Sequence, residues 1–65
     1  MTFGEFIKRE REQFSFGVEE AADLLGVNRA TLYQWETNKK RPSKKNVRKI
    51  AELYAVKVHD LVNLL

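Results

Sequence analysis

Cysteine is absent from this sequence of 65 residues, which contains one histidine, His59, and one proline, Pro42. Without cysteine there are no disulfides and no thiolate ligands for zinc, and a single histidine cannot build a metal site alone. No glycine-rich phosphate-binding loop is present either, since the chain has only three scattered glycines. We therefore expect no metal, no cofactor and no small-molecule ligand.

Long hydrophobic runs are also missing. No apolar segment approaches the roughly 18 residues that a membrane span needs, and none follows Met1 in the manner of a signal peptide. A chain of this size buries only roughly 60% of its unfolded surface, which argues against a deep catalytic cleft. We expect one small domain, residues 1–65, that is cytoplasmic and makes no contact with membranes.

Residues suited to catalysis are not grouped along the chain. Glu19 and Glu20 are neighbours on a predicted helix and point apart, so they cannot act as a pair of carboxylates. Ser15 and Ser43 lack a histidine base, because His59 lies on the short last helix. We predict that the protein is not an enzyme.

Positive charge is concentrated in the second half of the chain. Residues 1–38 carry four basic and seven acidic side chains, a net charge of −3, whereas residues 39–65 carry eight basic and two acidic ones, a net charge of +6. Seven of these eight basic residues lie between Lys39 and Lys49. Such a concentration is typical of a surface that binds a polyanion, although composition alone leaves a plain solvated surface equally open.

Apolar residues recur at three- and four-residue steps, and no strand-like alternation or internal repeat appears. Thr2, Asn28 and Ser43 are suited to cap helices, and Gly26 is suited to end one. The sequence therefore predicts an all-α fold, a compact five-helix bundle with helices at about 3–13, 18–25, 29–36, 44–54 and 58–64.

Residues 18–32 have the spacing of a helix-turn-helix unit. Counted from Val18, alanine occupies the fifth place (Ala22), glycine the ninth (Gly26) and a branched aliphatic residue the fifteenth (Leu32). The alanine permits close approach of two helices, the glycine makes the turn, and the leucine lies buried beneath the second helix.

The whole chain resembles the Cro/phage-repressor-like helix-turn-helix family, also called the XRE family. The resemblance is carried by EEAADLLGVNRATLYQWE, then KKRPS, then VRKIAELYAV and VHDL. It implies a lambda-repressor-like DNA-binding domain, usually a repressor that binds a palindromic operator in double-stranded DNA as a two-fold dimer. It also implies a structural ion pair between Arg11 and Glu36, which would hold the third helix against the body of the domain.

Three positions depart from that family's pattern. Gly17 and Val18 stand where the family typically has a Ser/Thr cap and a glutamine that touches both phosphate and the next helix, so that contact is absent. Thr37 and Asn38 replace a common Asn-Gly pair, and asparagine still tolerates a left-handed turn. Lys57 replaces a serine cap, so we expect the last helix to fray.

The third helix has a mixed polar face that suits the major groove of DNA. On a wheel of 100° per residue, this face covers an arc of roughly 140° and lies opposite Leu32 and Trp35. We predict core positions for Leu32 and Trp35. The outer face offers donors, acceptors and a small residue toward base edges, and we assign base reading to Arg29, Ala30, Tyr33 and Gln34. Packing of Tyr33 on a neighbour remains an equal alternative.

Phosphate contacts are assigned to residues around this helix: Asn28, Thr37, Lys39, Lys40, Arg41, Lys44 and Lys45. Asn28 is first of all a helix cap, whose position also suits a phosphate.

At the C-terminus Leu61 is expected to close the core. The surplus apolar residues Val62, Leu64 and Leu65 are candidates for a weak homodimer interface, with a frayed tail or a missing neighbouring domain as the alternative.

These predictions favour a sequence-specific double-stranded DNA-binding transcriptional regulator that inserts helix 29–36 into the major groove. The alternative is a helix-turn-helix interaction module, antitoxin-like or an adaptor, whose main partner is a protein. The acidic first half of the chain would supply a surface for such a partner.

Overall fold

Five helices make up most of the protein, whose computed structural model describes residues 1–65. They are α1 (Phe3–Gln13), α2 (Val18–Leu25), α3 (Arg29–Glu36), α4 (Lys44–Tyr54) and α5 (Val58–Val62). The predicted all-α class is confirmed. None of these helices has the length and apolar character required to cross a membrane.

Side-chain caps begin three of the helices. Thr2 Oγ1 accepts a hydrogen bond from the Glu5 amide at 3.1 Å, and Glu5 Oε1 accepts one from the Thr2 amide at 2.9 Å. Asn28 Oδ1 accepts from the Thr31 amide at 2.8 Å, and Ser43 caps α4 in the same way. These bonds satisfy amide groups that a helix N-terminus otherwise leaves without partners.

The last helix is shorter than the sequence predicted. Lys57 makes no side-chain cap bond, and regular helix ends at Val62. Beyond it the Leu64 amide donates to Leu61 O at 3.0 Å, and the Leu65 amide donates to Val62 O at 3.1 Å. Bonds to the third residue back are those of a tighter 3₁₀ turn, so the prediction of a helix extending to residue 64 is wrong.

A single apolar core joins the helices. Helix α3 packs on α1 and α2, while α4 packs on α1, α2 and α5. Trp35 belongs to this core with 3% of its surface exposed, as predicted, and so is not a platform for stacking bases. Burial of apolar surface, at roughly 25 cal/mol per Å², is the main stabilising contribution. The core consists of Phe3, Ile7, Ala21, Ala22, Leu25, Leu32, Trp35, Val47, Ile50, Ala51, Tyr54 and Leu61.

Gly26 forms the turn between α2 and α3. Its φ of 72° is left-handed, and its amide donates to Asp23 O at 3.1 Å. The next amide, of Val27, donates to Ala22 O at 3.0 Å, which completes the helix end. A side chain would strain this backbone, so glycine is what allows α3 to leave the turn across α2.

Candidate nucleic-acid interface

The outer face of α3 is directed to solvent. Arg29 and Ala30 are exposed, Tyr33 is 57% exposed and Gln34 is half-buried, whereas Leu32 on the opposite face is fully buried. The structure therefore places all four residues assigned to base reading on the side of α3 away from the core. Gln34 projects least, because it lies at the edge of that face.

Arg29 is engaged by a residue that the sequence analysis did not pair with it. Its Nη1 lies 2.8 Å from Oε1 of Glu19, in the first turn of α2. The two side chains are 72% and 74% exposed, so water screens the pair and it stabilises the fold little. The ten-residue separation gives no periodic signal, and only the crossing of α2 and α3 brings the two together.

Tyr33 lies beside the start of the basic segment, which we define as residues 39–49. Lys39 Nζ is 5.8 Å from the centre of the Tyr33 ring, within the range of a weak cation–π contact. The Gln34 carbonyl accepts from the Lys39 amide at 2.9 Å and from the Lys40 amide at 3.3 Å. The end of α3 thus fixes the backbone from which the first two lysines project.

Thr37 and Asn28 differ in what they can offer a phosphate. Thr37 Oγ1 donates to Tyr33 O at 2.8 Å, and the Thr37 amide donates to the same carbonyl at 2.9 Å. Phosphate oxygens accept hydrogen bonds, so a contact from Thr37 requires one of these bonds to break. Asn28 uses only its Oδ1 to cap Thr31, and its Nδ2 is free to donate.

Asn38 fixes the chain where it leaves α3, a role that sequence reasoning missed. Its Oδ1 accepts from the Gly4 amide at 2.9 Å, and its Nδ2 donates to Thr2 Oγ1 at 2.9 Å. Its φ of 62° is the left-handed conformation expected for this position. Asn38 therefore links the end of α3 to the start of α1. The sequence indicated only that Asn38 could adopt a left-handed turn, and it gave no sign of these hydrogen bonds.

Gly4 allows α1 and α3 to touch through their backbones. A β-carbon at Gly4 would lie 2.6 Å from the Glu36 carbonyl carbon and 2.7 Å from Trp35 O. Real β-carbons essentially never approach so closely. The position of α3 thus depends on the absence of a side chain at Gly4.

Arg11 and Glu36 meet in a buried ion pair. Arg11 Nε donates to Glu36 Oε2 at 2.8 Å, Nη2 donates to Oε1 at 3.1 Å, and Nη1 donates to Phe16 O at 3.0 Å. The side chains are only 9% and 6% exposed. The hydrogen bond to Glu36 raises the pKa of Arg11 above its ordinary value, against the opposing effect of burial. The pair joins the end of α1 to the end of α3.

The basic residues after α3 are all exposed but lie on more than one surface. Lys40 and Arg41 line a groove of about 420 Å³ together with Leu64 and Leu65. Lys49 lies elsewhere, since its Nζ is 3.5 Å from the point that a β-carbon at Gly26 would occupy. The basic residues 39–49 are close together in the sequence, but the fold places them on different surfaces.

The candidate dimer residues are not equally available. Val62 is 52% exposed, whereas Leu64 and Leu65 are half-buried and pack against the core. A second groove, of about 280 Å³, lies between α4 and α5, and its lining includes Lys44, Val62 and Leu65. The structure thus places the C-terminal apolar residues next to part of the basic segment.

Comparison with known proteins gives matches at the level of sequence. A family model described as helix-turn-helix matches residues 7–61. The chain is 34% identical over 62 residues to a protein of Methanobrevibacter smithii and 32% identical over 62 residues to one of Thermococcus gammatolerans. The names of both mark them as predicted HTH-type transcriptional regulatory proteins. Each match covers 95% of this chain but only 20% of the relative's length.

A solved structure has a similar fold. The P22 c2 repressor, crystallised in complex with the synthetic operator 9T in the presence of Tl⁺, superposes with a TM-score of 0.89. The match covers 94% of this chain and 92% of that one, at 20% sequence identity. At this identity the likeness concerns the arrangement of the helices.

Proposed function

The chain belongs to the helix-turn-helix family, as its sequence predicted, and from this premise we propose that it is the DNA-binding unit of a transcriptional regulator. In this proposal it recognises a specific sequence in double-stranded DNA and acts as a repressor. Because the chain spans about a fifth of the length of the regulators it matches, the activity of any larger protein is part of the proposal.

One observation carries the proposal, namely the two-sided character of α3. Its inner face is anchored by Leu32 and Trp35, while its outer face presents Arg29, Ala30 and Tyr33 to solvent. The major groove, roughly 12 Å wide, admits an α-helix. Arginine and glutamine there hydrogen-bond base edges in pairs, and a small residue such as alanine permits close approach and contact with a thymine methyl.

Selection of bound sequences from random duplexes tests this function. We expect an enriched site, and we expect Arg29→Ala and Gln34→Ala each to relax preference at particular positions, by about 1–3 kcal/mol for a bidentate contact. Arg9→Ala is the matched control, since it removes a positive charge from an exposed position on α1. Uniform loss of affinity over all sequences would show that α3 does not read bases through these residues.

The basic segment is proposed to anchor phosphates. Replacing Lys39, Lys40 or Lys44 by alanine is expected to weaken specific and non-specific binding alike. Each lost contact should flatten the dependence of log affinity on log salt concentration by about one unit. Lys57→Ala removes the same charge from outside this segment and serves as control. If the slope is unchanged after all three substitutions, the segment is an ordinary solvated surface.

A two-fold dimer on a palindromic operator is the second part of the proposal. Val62 is the residue to test, because Leu64 and Leu65 are partly packed in the core and their replacement would disturb the fold. We expect Val62→Lys to abolish cooperative binding to the two half-sites, whereas Leu24→Lys, at an exposed position on α2, leaves it intact. A wild-type chain that binds a palindrome without cooperativity would remove dimerisation from the mechanism.

A protein partner is the competing function. Its outcome in the selection is distinct, since no duplex would then be enriched above bulk DNA. The acidic side chains that residues 1–28 carry, outside α3, would be the surface to test in that case.

A further inference from the structure

Glu19 is the partner of Arg29 in an ion pair at the edge of the outer face of α3. Glu19, the second residue of α2, bonds to Arg29, the first residue of α3. The contact joins the N-terminal turn of α2 to the N-terminal residue of α3. These two helix ends, with Ala22, Asp23 and Asn28, border one shallow groove.

We propose that Glu19 is a positioning residue for specificity: it orients Arg29 toward a guanine and withholds it from phosphates. The proposal rests on the proposed function, because it requires α3 to read base pairs. It concerns the ratio of specific to non-specific affinity rather than the strength of binding.

The hydrogen-bond inventory of arginine permits this division. A guanidinium has five N–H groups, and the structure uses one of its terminal nitrogens, Nη1, toward Glu19. Nε and Nη2 make no hydrogen bond within the protein, and guanine needs two donors for its O6 and N7. A neutral guanine edge can therefore bind Arg29 while the bond to Glu19 remains.

A phosphate makes a different demand. It carries a full negative charge, and an arginine that turns toward it either leaves Glu19 or brings that carboxylate close to the phosphate. Like charges at such distances repel. While the pair persists it has no net charge, so Arg29 contributes little to the release of counterions that drives non-specific binding.

Glu19→Gln tests the proposal, with Glu20→Gln as the matched control. Both residues are exposed acids in the first turn of α2, so both substitutions remove the same charge from the same helix end, but Glu20 makes no ion pair. Each variant is measured on the selected operator, on all its single-base variants and on bulk DNA over a range of salt concentrations.

We expect Glu19→Gln to raise affinity for bulk DNA by about 2- to 5-fold, the scale of an exposed ion pair. The salt slope on bulk DNA should steepen by roughly 0.9, as for one more phosphate contact. Preference for guanine at the base that Arg29 reads should fall. In an Arg29→Ala background the substitution should have no effect on base preference, because the group being positioned is gone.

Two results would overturn the proposal. One is an equal response of Glu19→Gln and Glu20→Gln, which would show general charge repulsion. The other is a Glu19→Gln variant with wild-type affinity and slope on bulk DNA. Both leave the proposed function standing, provided that the wild-type chain selects a sequence. If the wild-type chain selects none, the proposed function fails and this proposal fails with it.

Discussion

Removal of the Glu36 carboxylate should be among the most destabilising single changes in this protein. Glu36→Ala leaves the Arg11 guanidinium buried with only Phe16 O as a partner. Breaking a buried pair in this way costs about 3–5 kcal/mol. A domain of this length has a total stability of about 3–10 kcal/mol, at roughly 0.05–0.15 kcal/mol per residue. The substitution therefore removes a large share of the free energy of unfolding.

A double mutant separates the free energy of the Arg11–Glu36 interaction from the effects of each side chain on its other neighbours. Arg11→Met alone leaves the Glu36 carboxylate uncompensated and Phe16 O without its donor. The double mutant Arg11→Met/Glu36→Ala leaves no uncompensated charge, so its loss should be well below the sum of the two single losses. We expect a coupling free energy of roughly 2–3 kcal/mol. The cost of the unpaired Phe16 carbonyl remains in the double mutant and does not enter the coupling.

Urea-induced unfolding at 25 °C, followed by circular dichroism, provides the measurement. Where Glu36→Ala is too unstable to show a folded baseline, Glu36→Gln keeps one acceptor for Arg11 and gives a smaller loss in the same direction. The exposed pair between Glu19 and Arg29 is an internal control, for which the coupling should not exceed about 1 kcal/mol. Additive losses at Arg11 and Glu36 would refute the reasoning, as would a coupling no larger than that of the exposed pair.

Three single contacts can each be tested by one substitution. Gly4→Ala should destabilise by about 3 kcal/mol or more, the upper end of the range for overpacking, because the new β-carbon meets the Glu36 and Trp35 backbone. Thermal unfolding close to wild type would show that α1 can shift freely. Tyr54 Oη is buried without a hydrogen-bond partner, and burial raises the pKa of Tyr54 to about 12, so Tyr54→Phe should be neutral or stabilising. Since the folded state favours the neutral phenol, the wild type should lose stability between about pH 10 and 12, and the variant should not. A marked loss of stability in Tyr54→Phe at pH 7 would contradict the prediction that this substitution is neutral or stabilising. Hydrogen bonds to Thr2 lower the pKa of Glu5, so the capping box should stabilise α1 above the ordinary glutamate pKa and lose that effect as pH falls through the lowered value; equal acid unfolding curves for wild type and Glu5→Gln would exclude it.

Local features of the sequence were sufficient to predict the helices. Caps at Thr2, Asn28 and Ser43, and the glycine that ends α2, act within one turn of the chain, so the residues alone specify them. The main error was the end of α5. The amides of Leu64 and Leu65 bond to the third residue back, and both leucines pack against the core. That outcome depends on tertiary contacts.

The face of α3 was also within reach of the sequence, because the helical period separates Leu32 and Trp35 from the residues opposite. The sequence alone therefore determined the all-α class, the helix-turn-helix unit and the surface that α3 presents. The partners of individual side chains required the packed helices. Asn38 reaches Gly4 and Glu19 reaches Arg29 only because of how α1, α2 and α3 pack and cross, and α4 divides the basic run between surfaces. Such contacts join residues that are distant along the chain, and their distances are set by crossing angles and close backbone approach, which no local spacing records.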